Sequence, residues 1–360
     1  MGVKSPPVCY GVDFFAGAGG LSLGAEMAGI RVLAAVEKDK YSAETYKLNH
    51  PNTMVFADDI KNIKFSDLPR SERPLVFFGG PPCQGFSISN QRTRNKRNDS
   101  NWLYQEFMDA VRILGPDWIV FENVRGIVET EKGFFKDRVI KAFQSLGYEC
   151  SWSILLSSDY GVPQRRSRFF LIGSKAGDRI DFDLIESQPS VSVKEALWDL
   201  PSLDNGADLN NRAYSKKRPS AYAKLLRGNA KECSGHLVSK NASHVIERYK
   251  HIPQGGNWES IPDSLMQSYS DKTRCHTGIY HRLHPDYPSI TIGNYRKAML
   301  IHPWEDRGLS VREAARLQSF PDNYQFHGSI GFQQQQVGNA VPPLLAKQVF
   351  QIIVNNLRKE

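Results

Sequence analysis

Over the first 175 residues, short apolar runs alternate with amphipathic stretches, and this alternation restricts the fold more than any other feature of the chain. Residues 8–15, 32–37, 75–78 and 118–121 read as buried strands, each followed by a turn and a helical segment. Residues 169–173 read as a later strand of the same sheet. Strands that are apolar throughout must be covered on both faces, so the pattern predicts an α/β class with a sheet between two helix layers.

From about 178 to 302 the texture changes. Pro, Ser, Asn, Gly and basic residues accumulate, and clusters such as Lys216-Lys217-Arg218-Pro219 and Pro253-Gln254-Gly255-Gly256 interrupt any periodicity. Regular structure is expected again over 310–319, where Ser310 followed by Glu313 fits a capping box. A final helix from about 344 places Leu345, Val349, Ile352, Ile353 and Leu357 on one stripe that should return to the first domain. The expected organisation is therefore 1–180, a smaller loop-rich domain over 181–305, and 306–360 completing the first. A length of 360 residues, 40% hydrophobic, is ample for such a pair. No internal repeat is evident.

No window approaches the run of about 20 apolar residues that a bilayer span requires, and the first eight residues do not resemble a secretion signal. A cytoplasmic protein is expected, with no membrane partner. Five scattered cysteines read as reduced thiols. The net charge of +8 suits a polyanionic partner without requiring one.

The segment Asp13-Phe14-Phe15-Ala16-Gly17-Ala18-Gly19-Gly20-Leu21 joins the first strand to the first helix. Glycines there bring backbone N–H groups close to a ligand, although a plain tight turn would have the same composition. A dinucleotide fingerprint needs a third glycine where Ser22 stands, which disfavours hydride transfer. Glu37 ends the second strand, where a carboxylate can accept from ribose hydroxyls. In Asp58-Asp59-Ile60 one carboxylate is placed to accept from an adenine amino group while Ile60 covers the ring. These endings together point to an adenosine-containing ligand along the carboxyl edge of the sheet.

After the strand at 75–78 comes Gly79-Gly80-Pro81-Pro82-Cys83-Gln84-Gly85-Phe86-Ser87. Lone cysteines are mostly core hydrophobes, but two glycines and two prolines set a rigid turn that presents Cys83 at the sheet edge. Glu122 ends the neighbouring strand; beside a thiol in a partly buried pocket it should hold its proton more tightly and can offer it to a ring nitrogen, although a plain surface carboxylate reads the same way. In Gln164-Arg165-Arg166-Ser167-Arg168, alternation puts Arg166 and Arg168 on one face, able to hold a base carbonyl and orient Glu122, or simply to guard an edge strand.

Asp-x-Phe-Ala-Gly-x-Gly-Gly, Pro-Pro-Cys-Gln, Glu-Asn-Val, Gln-x-Arg-x-Arg and Val337-Gly338-Asn339-Ala340-Val341-Pro342-Pro343 occur in the order and approximate spacing seen in the cytosine-C5 DNA methyltransferases, which this chain resembles over nearly its whole length. One departure is Phe14, where the family usually carries Leu. The resemblance implies a Rossmann-like methyltransferase sheet, a target-recognition domain in the middle, and S-adenosylmethionine as cofactor. It implies Cys83 as nucleophile toward C6 of a flipped cytosine, Glu122 at N3, Arg168 at O2 and Arg166 in support. It further implies Phe15, Gly17, Gly19, Gly20 and Leu21 around the methionine portion of the cofactor and Glu37 on its ribose. Asp59, Ile60, Pro82 and Leu103 would surround adenine, and Asn339 and Val341 would close the methionine end.

The basic segment 87–101, with Ser87, Arg92, Arg94, Lys96 and Arg97, is the expected loop that closes over double-stranded DNA, though charge runs of this kind are commonly solvated. In the middle domain Lys216, Lys217, Arg218, Arg248, Lys250, Lys272, Arg274, Arg282 and Arg296 are candidates for phosphate and base contacts. Cys233-x-x-His236 with Cys275-His276 is too irregular to predict a metal. A monomer is expected, with a separately encoded restriction endonuclease as a candidate partner. The rival activities are methylation of tRNA by the same motifs and a catalytically silent DNA-binding regulator.

Overall fold

The computed structural model describes residues 7–81, 103–267, 278–293, 295–297 and 299–358. The chain divides into two compact units, one made of Met1–Tyr160, Ser167–Ser187 and Pro343–Glu360 and the other of Gly161–Arg166 and Gln188–Pro342. The return to the first unit thus begins at Pro343, later than the 306 read from composition.

The first unit holds a seven-stranded sheet of β1 (Tyr10–Phe14), β2 (Arg31–Val36), β3 (Met54–Phe56), β4 (Leu75–Gly79), β5 (Trp118–Val124), β6 (Glu149–Leu156) and β7 (Ser167–Ser174), in the order β3-β2-β1-β4-β5-β7-β6. The first five run parallel, and β7 pairs antiparallel with both β5 and β6. Helices α1 (Gly20–Met27), α2 (Lys40–Asn49), α3 (Tyr104–Leu114), α4 (Gly126–Glu129) and α5 (Phe134–Ser145) complete the unit together with a C-terminal helix.

Alternation along the strands sorts the core. Val12, Phe14, Phe77, Ile119, Phe121, Phe169 and Leu171 face one way and join Phe107, Val111, Val139 and Phe143 of α3 and α5. Phe14 lies 5.2 Å from Phe77 and 5.4 Å from Phe107, ring centre to ring centre, so its extra volume relative to Leu is absorbed in an aromatic cluster.

The second unit carries α6 (Val193–Leu197), α7 (Ala221–Arg227), α8 (Ser243–Lys250), α9 (Val311–Leu317) and α10 (Ile330–Asn339), with a two-stranded ribbon of β8 (Arg212–Ala213) and β9 (Glu232–Cys233). The capping box read from sequence is present at α9: Ser310 Oγ accepts from Glu313 N at 3.2 Å and Ser310 N donates to Glu313 Oε2 at 2.7 Å. This helix belongs to the second unit because its own charges tie it there. Arg316 forks onto Asp322 at 2.7 Å and reaches Asp199 at 2.8 Å, all three buried.

The C-terminal helix, α11 (Pro343–Leu357), returns to the first unit, with Leu345, Val349, Ile352 and Ile353 buried and Leu357 half-buried. Phe350 meets Phe78 edge-on at 4.9 Å, on the sheet face opposite α3 and α5. Contrary to the sequence expectation, the stretch Ile330–Leu357 is long and apolar enough by composition to cross a membrane, but 67% of its most apolar 18-residue window is buried in the fold, as in core helices.

Candidate active site

Strand order reverses between β1 and β4: β2 and β3 lie to one side of β1, while β4 and β5 lie to the other. In sheets of this kind the carboxyl ends at such a reversal are the usual ligand position. The glycine-rich turn emerges from β1 and the Gly-Gly-Pro-Pro-Cys segment from β4, so both sequence motifs start at that point.

In the first turn Phe15, Gly17 and Gly19 have positive φ of 58°, 56° and 87°. Gly19 caps α1 in the left-handed conformation and Gly20 and Leu21 begin the helix, both buried. A Cβ on Gly17 would have open space around it, whereas its N–H donates to Glu37 Oε2 at 2.7 Å. The other Glu37 oxygen accepts from Asp39 N at 2.6 Å. Burial raises the Glu37 carboxyl above its ordinary range, with those two N–H groups opposing. Ser22, read as the residue that breaks a dinucleotide fingerprint, has a positive role: its hydroxyl donates to buried Asp13 at 2.6 Å and accepts from Tyr46 at 2.6 Å.

Past β3, Asp59 caps a one-turn helix over Ile60–Asn62 and pairs with Lys38 at 2.6 Å. Ile60 is only 3% exposed and joins the core beside Phe14 and Phe77, so most of its surface is committed to packing. Leu103 is half-buried and opens α3.

Glu122 lies within β5, and the antiparallel register sets Arg168 one diagonal step away on β7. Arg168 Nε meets Glu122 Oε1 at 2.9 Å, and each side chain is 11% exposed. Burial pulls the guanidinium below its ordinary range while the Glu122 charge opposes that shift. Gly80 leaves the space this carboxylate occupies: a Cβ there would lie 2.5 Å from Glu122 Oε2. The next side chain, Asn123, donates to the Pro81 carbonyl at 3.4 Å, tying β5 to the residue two before the cysteine. Pro82, Cys83, Ser87, Arg92, Arg94, Lys96 and Arg97 lie outside the described residues.

In the second unit, the Gln-x-Arg and Val-Gly-Asn motifs come together. Gln164 accepts from Ile292 N at 3.0 Å and donates to the Gln318 side chain at 2.9 Å; Gln318 in turn donates to Val337 O at 2.7 Å. Arg166 donates to Gly338 O at 2.9 Å and Asn339 O at 3.3 Å. Both arginines are expected to orient Glu122; Arg168 pairs with that carboxylate, and Arg166 also holds the backbone of the last motif. Asn339 is exposed at the end of α10 and Val341 is buried.

Two of the middle-domain cations are not available to DNA. Arg282 donates to the carbonyls of Ile252, Tyr249 and His302 at 2.7 to 3.1 Å, and Arg248 to Leu265 O and Tyr280 Oη at 2.8 Å; both are buried. Lys272, Arg274, Cys275 and His276 lie outside the described residues. Cys233 Sγ sits 3.2 Å from His236 Nε2, and no group of three metal-ligating side chains occurs among the described residues.

Residues 10–355 match the family model of the C-5 cytosine-specific DNA methylases. The chain is 34% identical over 348 residues to the Type II methyltransferase M1.HphI of Haemophilus parahaemolyticus, covering 95% of this chain and 86% of that one. It is 33% identical over 361 residues to the Type II methyltransferase M.DdeI of Desulfomicrobium norvegicum, covering 93% and 86%. A solved structure described as a DNA modification methyltransferase encoded within an Escherichia coli prophage superposes with a TM-score of 0.78 at 28% identity, over 98% of this chain and all of that one. Motifs, sheet and relatives agree, and the chain belongs to the C-5 cytosine-specific DNA methylase family.

Proposed function

We propose that this DNA (cytosine-5-)-methyltransferase moves the methyl group of S-adenosylmethionine to C5 of a cytosine rotated out of duplex DNA, through a covalent bond between Cys83 and C6. The observation that carries the reading is the Glu122–Arg168 pair, set against Gly80 at the carboxyl edge of the sheet where the Pro-Pro-Cys segment begins.

The first unit fits the cofactor. Open space beside Gly17, backbone N–H groups in a left-handed turn and a half-buried Glu37 carboxylate suit a ligand with an amino-acid end and a ribose. Phe15, Gly19, Gly20 and Leu21 would hold the methionine end. Asp59, Ile60, Pro82 and Leu103 would hold adenine. When bound, the cofactor supplies an electrophilic sulfonium methyl.

The chain's own residues then make C5 reactive. The Cys83 thiolate adds to C6, and the protonated form of Glu122 gives a proton or hydrogen bond to N3 so that the ring takes up the negative charge. Arg168, beside Glu122, is the contact to the cytosine O2, and Arg166 supports the surrounding backbone. C5 acquires the methyl group as an enamine carbon, loses its proton to a base, and Cys83 departs as thiolate. The loop-rich residues 181–305 are proposed to select the target sequence and 87–101 to close over the DNA. The names of the two relatives support a place beside a restriction endonuclease.

The test is transfer of labelled methyl groups from S-adenosylmethionine to duplex DNA, with 5-fluorocytosine duplexes trapping a covalent complex that Cys83→Ser abolishes. Trapping that survives the substitution, or labelling of tRNA equal to that of DNA, would overturn the reading. Bisulfite sequencing of DNA from an expressing host identifies the recognised sequence.

A further inference from the structure

We propose that a cleft in the second unit, between the turn at 215–219 and the end of α7, seats backbone phosphates of duplex DNA. This rests on the reading that duplex DNA is the substrate and adds where it is gripped.

The cleft has a volume of about 410 Å³ and is lined by Lys216, Lys217, Arg218, Lys224 and Arg227 with no carboxylate among its lining residues. Two of the five cations are committed. The Arg227 guanidinium stacks 3.6 Å from the centre of the Tyr214 ring and reaches buried Asp199 at 3.3 Å. The Lys217 ammonium sits 3.7 Å above the Trp198 ring. Lys216, Arg218 and Lys224 are exposed and, among the described residues, none has an ion-pair partner. Three like charges without ion-pair partners around one concavity repel one another, and an anion seated there offsets that cost.

The shape of the cleft is set by its surroundings. Ser215 N donates to Asp199 O at 2.9 Å, and Ser220 caps α7 while its hydroxyl donates to Glu195 O at 2.6 Å. Asp199 is itself held by Arg316. The cations are therefore presented from an anchored turn and a helix. A cleft of about 410 Å³ lined by five cations fits successive phosphates of a polyanion better than a single carboxylate. Duplex DNA carries one charge per roughly 1.7 Å of axis. An acidic protein segment is the competing occupant.

The experiment measures binding of the full chain to a mixed-sequence duplex over a range of salt concentrations. Replacing Lys216, Arg218 and Lys224 together by Gln should reduce the steepness of log affinity against log salt by about two to three, at roughly one per phosphate contact. Neutralising Lys64, Lys132 and Lys141 of the first unit should change it by less than half as much. An unchanged slope in the first variant, or an equal fall in the control, would overturn the proposal, as would binding of a polyglutamate peptide that the same variant loses while duplex binding persists. If the triple variant does not fold, Lys216→Gln and Lys224→Gln singly decide, each expected to lower the slope by about one. Failure of the unsubstituted chain to methylate DNA would sink the catalytic reading alone; an unchanged slope beside intact methylation would sink the cleft alone.

Discussion

Gly80 and Glu122 occupy neighbouring strand ends so closely that a Cβ on the glycine would stand 2.5 Å from Glu122 Oε2, while Arg168 holds the other carboxylate oxygen at 2.9 Å. The carboxylate is thus confined between a backbone and a guanidinium. Gly80→Ala must push it aside. Displacement of about 1 Å at a reacting group costs on the order of 100-fold in rate, and a loss of that size is expected in methyl transfer to DNA. With Glu122→Asp, which shortens the side chain by one carbon, the clash is relieved, so Gly80→Ala should lower covalent trapping far less in that background than beside the native glutamate.

The Glu122–Arg168 pair is nearly buried, so removing one member leaves a charge in a poorly solvated place. Arg168→Met should lower the unfolding free energy by about 3 kcal/mol. Combining it with Glu122→Gln should recover more than half of that loss, since the uncompensated charge is gone. Denaturant titrations of the two single variants and the double one supply the cycle; additive losses would show that the pair contributes nothing as a pair.

The parts of this arrangement legible in the sequence are those that depend on local pattern. Strands β1, β2, β4, β5 and β7 are apolar runs, and the endings at Gly17, Glu37 and Gly80 follow from where those runs stop. Strand β6 is apolar only over its last three residues: Glu149, Ser151, Trp152 and Ser153 lie at the sheet edge, where burial does not select apolar residues. The antiparallel turn of β7, which brings Arg168 to Glu122, is a topological fact with no local signature. Arg248 and Arg282 looked like surface cations because a guanidinium that clamps carbonyls in the interior has the same letter as one that meets phosphate.

Ser310 offers a test of the capping box. Its hydroxyl accepts from Glu313 N, while the Glu313 side chain accepts from Ser310 N and is also forked by Arg307 at 2.7 and 2.8 Å. Ser310→Ala removes one half of the box and leaves the other anchored. A loss of about 1 to 2 kcal/mol in unfolding free energy is expected, with Ser310→Thr retaining most of it. Denaturant midpoints at constant slope measure it, and an unchanged midpoint for the alanine variant would mean that the Arg307 fork alone positions the helix.

Two buried imidazoles set the response to acid. Burial pushes His302 down to about 4, with Arg307 acting in the same direction and Glu313, 3.7 Å away, opposing it. Burial likewise pushes His236 down to about 4, with Arg312 adding to the effect and Glu313 countering it. Each ring is neutral in the fold at a pH where the unfolded chain, titrating near 6.5, has begun to bind protons. The stability they contribute is therefore complete above about pH 6.5 and is lost as pH falls toward about 4, by up to roughly 3 kcal/mol for each. Replacing His302 by Gln should flatten that part of the curve by about half, and His236→Gln should act similarly. Unfolding free energies measured at half-unit steps from pH 7 to pH 4 decide it: a wild-type curve level across that window would show that neither ring is kept neutral by the fold.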